Sequence, residues 1–335
     1  MRLCFETSGE HPTLPSAEIA ATVEALGGRR PSISSDGMAI FAHCPKRAVG
    51  AVVSRLALCH SVSELLGEHK TVGCASRIAP LLEISGKAVK VRASIVSGEW
   101  TKAQQIAAER TIGAALAKRN TIDLRNPEVE VRVLLGSRVR ISRIVGKIDR
   151  KGFESRKGEN RPFFSPISLH PKYARALVNL SGVGPGGRLL DPFCGTGGIL
   201  IEASLAGAKT LGSDLDPRML EGSTQNMAHF GLQADRLEEC DVSKIDGVFG
   251  EVDAVATDPP YGRASSTGKE VPGLLHRRML LALRDILAPG GRAAVVLPDT
   301  AAVGKLPAGM RLVESHPMRV HRSLVRHFVV LRKES

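Results

Sequence analysis

Two short runs in this chain carry residue types whose spacing suits chemistry. The first is Asp258-Pro259-Pro260-Tyr261, which follows the apolar stretch Val252–Thr257. Consecutive prolines hold the backbone extended and rigid, and they remove two N–H donors. The Asp258 carboxylate and the proline carbonyls are thereby left as a cluster of acceptors. An exocyclic amino group presents two N–H donors, so such a cluster suits it. Tyr261, one of only two tyrosines, adds a flat face on which an aromatic base can stack, worth ~1–3 kcal/mol. A proline-rich turn closing a strand would use similar residues without any chemistry.

The second run is DPFCGTGGILIEA, from Asp191 to Ala203. It reads as a strand, a glycine-rich turn and an apolar helix in immediate succession. Glycines at 195, 197 and 198 let backbone approach a ligand, and the helix start offers free N–H groups. Asp214 closes the next apolar stretch, 19 residues after Gly195, where an acid accepts hydrogen bonds from ribose hydroxyls. The G-x-G-x-x-G spacing of dinucleotide sites is not met. Asp191, at the strand end, would repel a pyrophosphate but suits a cationic amino-acid group. These features point to S-adenosylmethionine rather than a nicotinamide cofactor. Asp241, in ECDVSKI, follows a segment able to form a third strand, from which a side chain reaches an adenine amino group.

These residues need elements to hold them. From Phe163 onward the spacing predicts helices over Pro171–Leu180, Gly198–Ala206, Pro217–Phe230 and Leu274–Leu287. Strands are predicted at Arg188–Asp191, Thr210–Asp214, Val252–Asp258, Arg292–Leu297 and His327–Leu331, the last able to run antiparallel. Such alternation implies a parallel sheet covered on both faces. The N-terminal half reads as strands at Leu3–Phe5 and Met38–His43 with helices at Ser16–Leu26, N-capped by Ser16, and Lys46–Leu58. A strand at Ala88–Ser94, a helix from Thr101 to Arg119, and a hairpin of Val129–Leu135 with Val139–Gly146 follow. Residues 149–162 are charged and aperiodic and read as a linker.

Charge is divided unevenly. Residues 1–165 hold 26 basic and 16 acidic side chains, whereas residues 166–335 hold 20 and 18. A polyanionic partner is therefore expected for the first half. Alternation in the hairpin leaves Arg132, Arg138, Arg140 and Arg143 on polar faces, as candidate phosphate contacts or simply a solvated strand face. The six cysteines are scattered without a C-x-x-C pair, and the histidines lack metal spacing, so no metal is expected. No apolar run approaches the ~20 residues of a membrane span. The opening MRLCFETSGEH lacks the apolar core of a signal peptide, so a cytoplasmic protein is expected.

Taken together, D-x-F-x-G-x-G and D-P-P-Y resemble the amino-group methyltransferases that act on nucleic-acid bases. RPFFSPISLHPKYARALVNL (161–180), GSDLDPRMLEGSTQNMAHFG (212–231) and HRSLVRHFVVL (321–331) narrow the resemblance to the archaeal THUMP-domain tRNA (guanine(10)-N2)-methyltransferase family. The resemblance is specific across 161–331. Over 1–150 it rests on element order and basicity. It implies an α/β chain with a ferredoxin-like part at 1–55, THUMP at 56–150, a linker at 151–165, and a Rossmann-like class I methyltransferase domain at 166–335. It implies that Asp191, Pro192, Gly195, Thr196 and Gly197 line the methionine part of S-adenosylmethionine. Asp214 and Leu215 would lie at the ribose, and Asp241 with Val242 at the adenine edge. Asp258, Pro259, Pro260 and Tyr261 would hold and stack the guanine. Ser165 departs from the family, in which histidine is expected at that place.

The implied product is N2-methylguanosine in tRNA, with N2,N2-dimethylguanosine after a second transfer, made by a monomer. The same acceptor chemistry serves any exocyclic amine, so ribosomal-RNA guanine-N2 and DNA adenine-N6 or cytosine-N4 methylation stand as alternatives. A non-catalytic RNA-binding scaffold on an inherited methyltransferase fold is a third.

Overall fold

The computed structural model describes residues 1–79, 84–165, 168–260, 272–299, 304–321 and 324–334. Its chain divides into two compact units. One comprises residues 1–16, 27–54 and 58–148; the other comprises 17–26, 55–57 and 149–335.

The first unit is built on one eight-stranded sheet. In chain order its strands are β1 (Arg2–Thr7), β2 (Ile33–Asp36), β3 (Ala39–His43), β4 (Cys59–His69), β5 (Ala88–Ile95), β6 (Thr121–Ile122), β7 (Val129–Leu135) and β8 (Val139–Lys147). Their spatial order is β2-β3-β1-β4-β8-β7-β5-β6. In chain order, β1 to β4 alternate with α1 (Leu14–Gly27), of which residues 17–26 count with the second unit, and α2 (Val49–Arg55), the β-α-β-β-α-β order of a ferredoxin-like unit. The fourth strand of that order, β4, begins at Cys59. β4 also pairs with β8, which makes the two expected N-terminal parts a single sheet. The helices α3 (Val72–Ile78) and α4 (Lys102–Leu116) complete the unit. Thr101 caps α4 in a reciprocal capping box with Gln104. Ile112 and Leu116 of α4 pack on Val91, Val131 and Val133 of the sheet. The start expected for α1 at Ser16 is two residues late, because His11 Nδ1 already accepts from Leu14 N at 2.9 Å.

The expected linker is structured. Asp149 caps α5 (Arg150–Ser155) by accepting from Gly152 N, and Phe153 is buried. An aromatic anchor and a capping acid outweigh the segment's weak periodicity.

The second unit continues with α6 (Pro171–Leu180), β9 (Arg188–Asp191), α7 (Gly198–Leu205), β10 (Lys209–Asp214), α8 (Pro217–His229), β11 (Arg236–Glu239), α9 (Ile245–Phe249) and β12 (Val252–Thr257). It ends with α10 (Pro272–Ile286), β13 (Leu287–Leu297), β14 (Met310–His321) and β15 (Leu324–Lys333). Strand order is β11-β10-β9-β12-β13-β15-β14. β9 to β13 run parallel, and β15 pairs antiparallel with both β13 and β14. The chain winds outward from β9 to β11 and then returns to lay β12 against the other side of β9. That reversal opens a crevice at the carboxyl ends of β9 and β12, where doubly wound sheets bind ligands. Val255, Leu283, Ile286, Val295 and Val329 form part of the core beneath it.

Candidate active site

Asp191 is the last residue of β9 and is 1% exposed. Its Oδ1 accepts from Thr257 Oγ1 at 2.6 Å and from Phe193 N at 3.2 Å. Burial pushes its carboxyl up to about 7, the nearby Asp258 and Asp214 adding to that effect against the opposing hydrogen bonds. A carboxylate poised near neutrality in a closed site favours a cationic partner, which would restore its charge.

The turn after Asp191 reaches its shape through glycines. Gly195 and Gly197 have φ of 49° and 79°. At Gly197 a Cβ would stand 2.4 Å from Ser223 Oγ of α8, whereas at Gly195 it would meet open space. Gly197 is therefore fixed by packing, while Gly195 keeps room above the turn. Pro192 is buried, and its carbonyl accepts from Ser213 Oγ at 3.3 Å. The Thr196 carbonyl accepts from Asn226 Nδ2 at 3.0 Å.

Asp214 ends β10, and its two oxygens accept from Gly195 N at 2.9 Å and Asp216 N at 3.0 Å. It thus ties the second strand to the glycine turn. Burial raises its carboxyl above the usual range despite these bonds. Leu215, beside it, is 57% exposed.

Asp241 caps the 3-10 turn at 242–244, accepting from Ser243 N at 2.9 Å and from Ser243 Oγ at 2.5 Å. Arg278 of α10 grips it with bonds of 2.9 and 3.2 Å. Burial disfavours its charge, but Ser243 and Arg278 outweigh that and hold it below the usual carboxylate range. Val242 is buried in the core rather than open.

Asp258 and Pro260 are half-buried and Pro259 is buried, directly after β12. Tyr261 lies outside the described residues. Thr257 is the residue that sequence reasoning passed over. It is fully buried, and it joins the Asp-Pro-Pro strand to Asp191. Its signal in the sequence is a polar side chain directly after Ala254-Val255-Ala256.

The strand arginines have other partners. Arg132 makes a bidentate pair with Glu6 at 2.9 and 2.7 Å. Arg140 is 7% exposed, pairs with Asp36 and Glu68, and lies over the Phe41 ring. Arg143 bonds Glu64, and the more exposed Arg138 stands 4.0 Å from Glu68. Arg140 is thus buried and held by carboxylates, whereas Arg132 is half-buried beside Glu6 and Arg138 and Arg143 are more exposed. Sequence alternation identified the face but not the acids opposite it on β1, β2 and β4.

Among the described residues no cluster could hold a metal ion, and no helix is long and apolar enough to cross a membrane. Five of the six cysteines are buried; Cys74 is exposed.

The family described as UPF0020, the RMKL-like methyltransferase domain, matches residues 159–327. The tRNA (guanine(10)-N2)-dimethyltransferase of Methanothermobacter thermautotrophicus is 35% identical, over 99% of this chain and 100% of its own. The protein of that name from Methanocaldococcus jannaschii is 32% identical over 70% of this chain and 67% of its own. Among solved structures, TrmN from Thermus thermophilus aligns with a TM-score of 0.56 and 25% identity, covering 99% of this chain and 100% of that one.

Proposed function

The chain belongs to the tRNA guanine-N2 methyltransferase family, and from that premise we propose that it methylates the N2 amine of guanine 10 in tRNA. S-adenosylmethionine is the methyl donor in this reading, and a second transfer gives N2,N2-dimethylguanosine. The observation that carries it is the Thr257–Asp191 hydrogen bond of 2.6 Å. It sets the strand end suited to a cationic cofactor beside the strand end suited to an exocyclic amine.

When bound, S-adenosylmethionine supplies an electrophilic methyl group on a sulfonium. The residues present fit it: an ionisable buried acid at Asp191, an open glycine turn at Gly195, and further acids ending β10 and following β11. Asp191, Pro192, Gly195, Thr196 and Gly197 would hold its methionine part, Asp214 and Leu215 the ribose, and Asp241 with Val242 the adenine edge. Val242 contributes through its backbone, since its side chain is in the core.

The N2 amine of guanine is a poor nucleophile because its lone pair is delocalised into the ring. Asp258 and the Pro259 carbonyl accept its two hydrogens and aim the lone pair. Asp258 also stabilises positive charge as it builds on nitrogen, and the proton then leaves to Asp258 or to water. Positioning is the larger contribution. Tyr261 stacks on the base, which must leave its own stack to enter the crevice. The N-terminal unit, THUMP-like in this reading, holds the tRNA, and the enzyme works as a cytoplasmic monomer.

Labelled S-adenosylmethionine and unmodified tRNA transcript test the proposal directly. Mass spectrometry should place one or two methyl groups on N2 of guanine 10. Label on another nucleotide, or none, would overturn it.

A further inference from the structure

The stretch HPMRVHRSLVRH, residues 316–327, holds three arginines, three histidines and no acid. Setting it aside leaves 17 basic side chains against 18 acidic ones in residues 166–335. The small positive excess of that half of the chain therefore lies in one place. β14 and β15 fold the stretch into an antiparallel hairpin, which pairs from Met310 and Lys333 up to His321 and Leu324.

Strand register fixes where the hairpin ends. β12 and β13 run in step, with Thr257 beside Val295, so Pro259 follows at about the level of Leu297. Leu297 pairs with His327 of β15. Because β15 runs against the parallel strands, Leu324, Val325 and Arg326 lie beyond their carboxyl ends. At ~3.3 Å per residue, the tip rises about 10 Å past the level of Pro259. Only β13 separates β15 from β12, a lateral step of about 10 Å. The tip thus stands beside the mouth of the crevice that Asp258 enters.

Arg319 pairs with Val325, and Pro317 with His327, which sets these four on one face of the hairpin. Pro317, Arg319 and Val325 are exposed and His327 is half-buried. No carboxylate pairs with Arg319 among the described residues. Arg132, Arg138, Arg140 and Arg143 of the first unit, in contrast, each stand beside a glutamate. Acids end or follow the strands around the crevice, at Asp191, Asp214, Asp241 and Asp258. A nucleotide entering it brings phosphates that those acids repel, so a cation at the mouth has an electrostatic task there.

We propose that the exposed face of the β14–β15 tip, centred on Arg319, is a second RNA-binding surface that holds backbone phosphates next to the guanine in the crevice. The N-terminal unit supplies affinity for the tRNA as a whole, and the hairpin fixes the strand that carries the target base. This inference rests on tRNA being the substrate of the crevice.

Filter binding of the full chain to unmodified tRNA transcript tests it, with calorimetric titration of S-adenosylmethionine as the check on folding. Arg319→Ala should weaken tRNA binding about threefold to tenfold and lower the slope of log affinity against log salt by about one. Arg319→Glu should weaken it further, and Arg319→Lys should keep most of the affinity. S-adenosylmethionine should bind all three variants as it binds wild type. A transcript with uncharged methylphosphonates on both sides of guanine 10 locates the contact. It should bind wild type more weakly, and Arg319→Ala should cost it nothing more. A full further loss on that transcript would overturn the inference, as would an Arg319→Glu variant that binds tRNA like wild type. Either result leaves methylation of guanine 10 standing. A wild type that methylates another nucleotide, or none, takes down the substrate reading as well.

Discussion

At the residue scale, the two aspartates at neighbouring strand ends have separable jobs in the proposed reaction. Asp258→Ala removes the charged acceptor for the amine but not the crevice. It should reduce single-turnover methyl transfer by about a thousandfold or more, with cofactor and tRNA affinities held within a few-fold in direct binding measurements. Asp191 makes the opposite prediction. Its carboxyl is raised from 3.8 to about 7 in the folded protein, so folding favours the protonated form. The stability this contributes is complete below about pH 4 and is lost as pH rises through about 7, on the order of 4 kcal/mol in all. Asp191→Asn should therefore gain stability relative to wild type between pH 4 and pH 8 in urea unfolding, while losing cofactor affinity. No relative gain would show that the acid is already charged in the free protein. Thr257 donates to that same carboxylate and favours its charged form. Thr257→Val should move the pH midpoint of cofactor binding upward, and Thr257→Ser should bring it back.

At the element scale, the start of α7 is shaped by two glycines with different constraints. Gly197→Ala forces a Cβ against Ser223 at a positive φ, and should cost about 2–3 kcal/mol in thermal denaturation. Gly195→Ala meets open space and should cost about 1 kcal/mol, by backbone strain alone. Equal losses would remove the distinction between packing and ligand clearance. Further along the same helix, Glu202 sits between Arg156 and Arg175. Glu202→Ala leaves buried cations uncompensated and should destabilise the chain by roughly 3–5 kcal/mol.

Elements differ in how well their sequence foretold them. α6 and β9 match the predicted spans to the residue, because Pro171 opens the helix and Asp191 ends an apolar strand before glycine. β4 and β14 were not anticipated. Glu64 and Glu68 on β4 and Arg311 and His316 on β14 break the apolar pattern, since cross-strand pairing rather than one-sided burial holds these strands. β4 in particular is stabilised from both sides, by β1 and β8, and Glu64 meets Arg143 across that pairing.

At the scale of the whole molecule, the uneven charge remains informative after several arginines are accounted for. Ion pairs such as Arg132–Glu6 and Arg140–Asp36 neutralise matched charges and leave the excess of ten basic groups in residues 1–165 intact. Affinity for tRNA should fall steeply between 50 and 200 mM salt, whereas affinity for the small cofactor should change little. Parallel filter-binding and calorimetric salt series check this. A flat tRNA curve would rule out phosphate contacts as the source of affinity.

The residues of the proposed site were legible in short runs of the chain. Acids at strand ends, a glycine turn and paired prolines act through local backbone geometry, which a short run of residues specifies. The alternation of apolar strands and helices also foretold a parallel sheet covered on both faces, without fixing which strands are neighbours. Only the tertiary structure decided which polar side chains meet. Thr257 lies 66 residues from Asp191, and Arg140 lies 104 from Asp36. Arg161, from a segment whose sequence reads as linker, packs against Gly198. Such contacts depend on strand order and helix packing, where the partner of a charge is set by which elements the fold brings together.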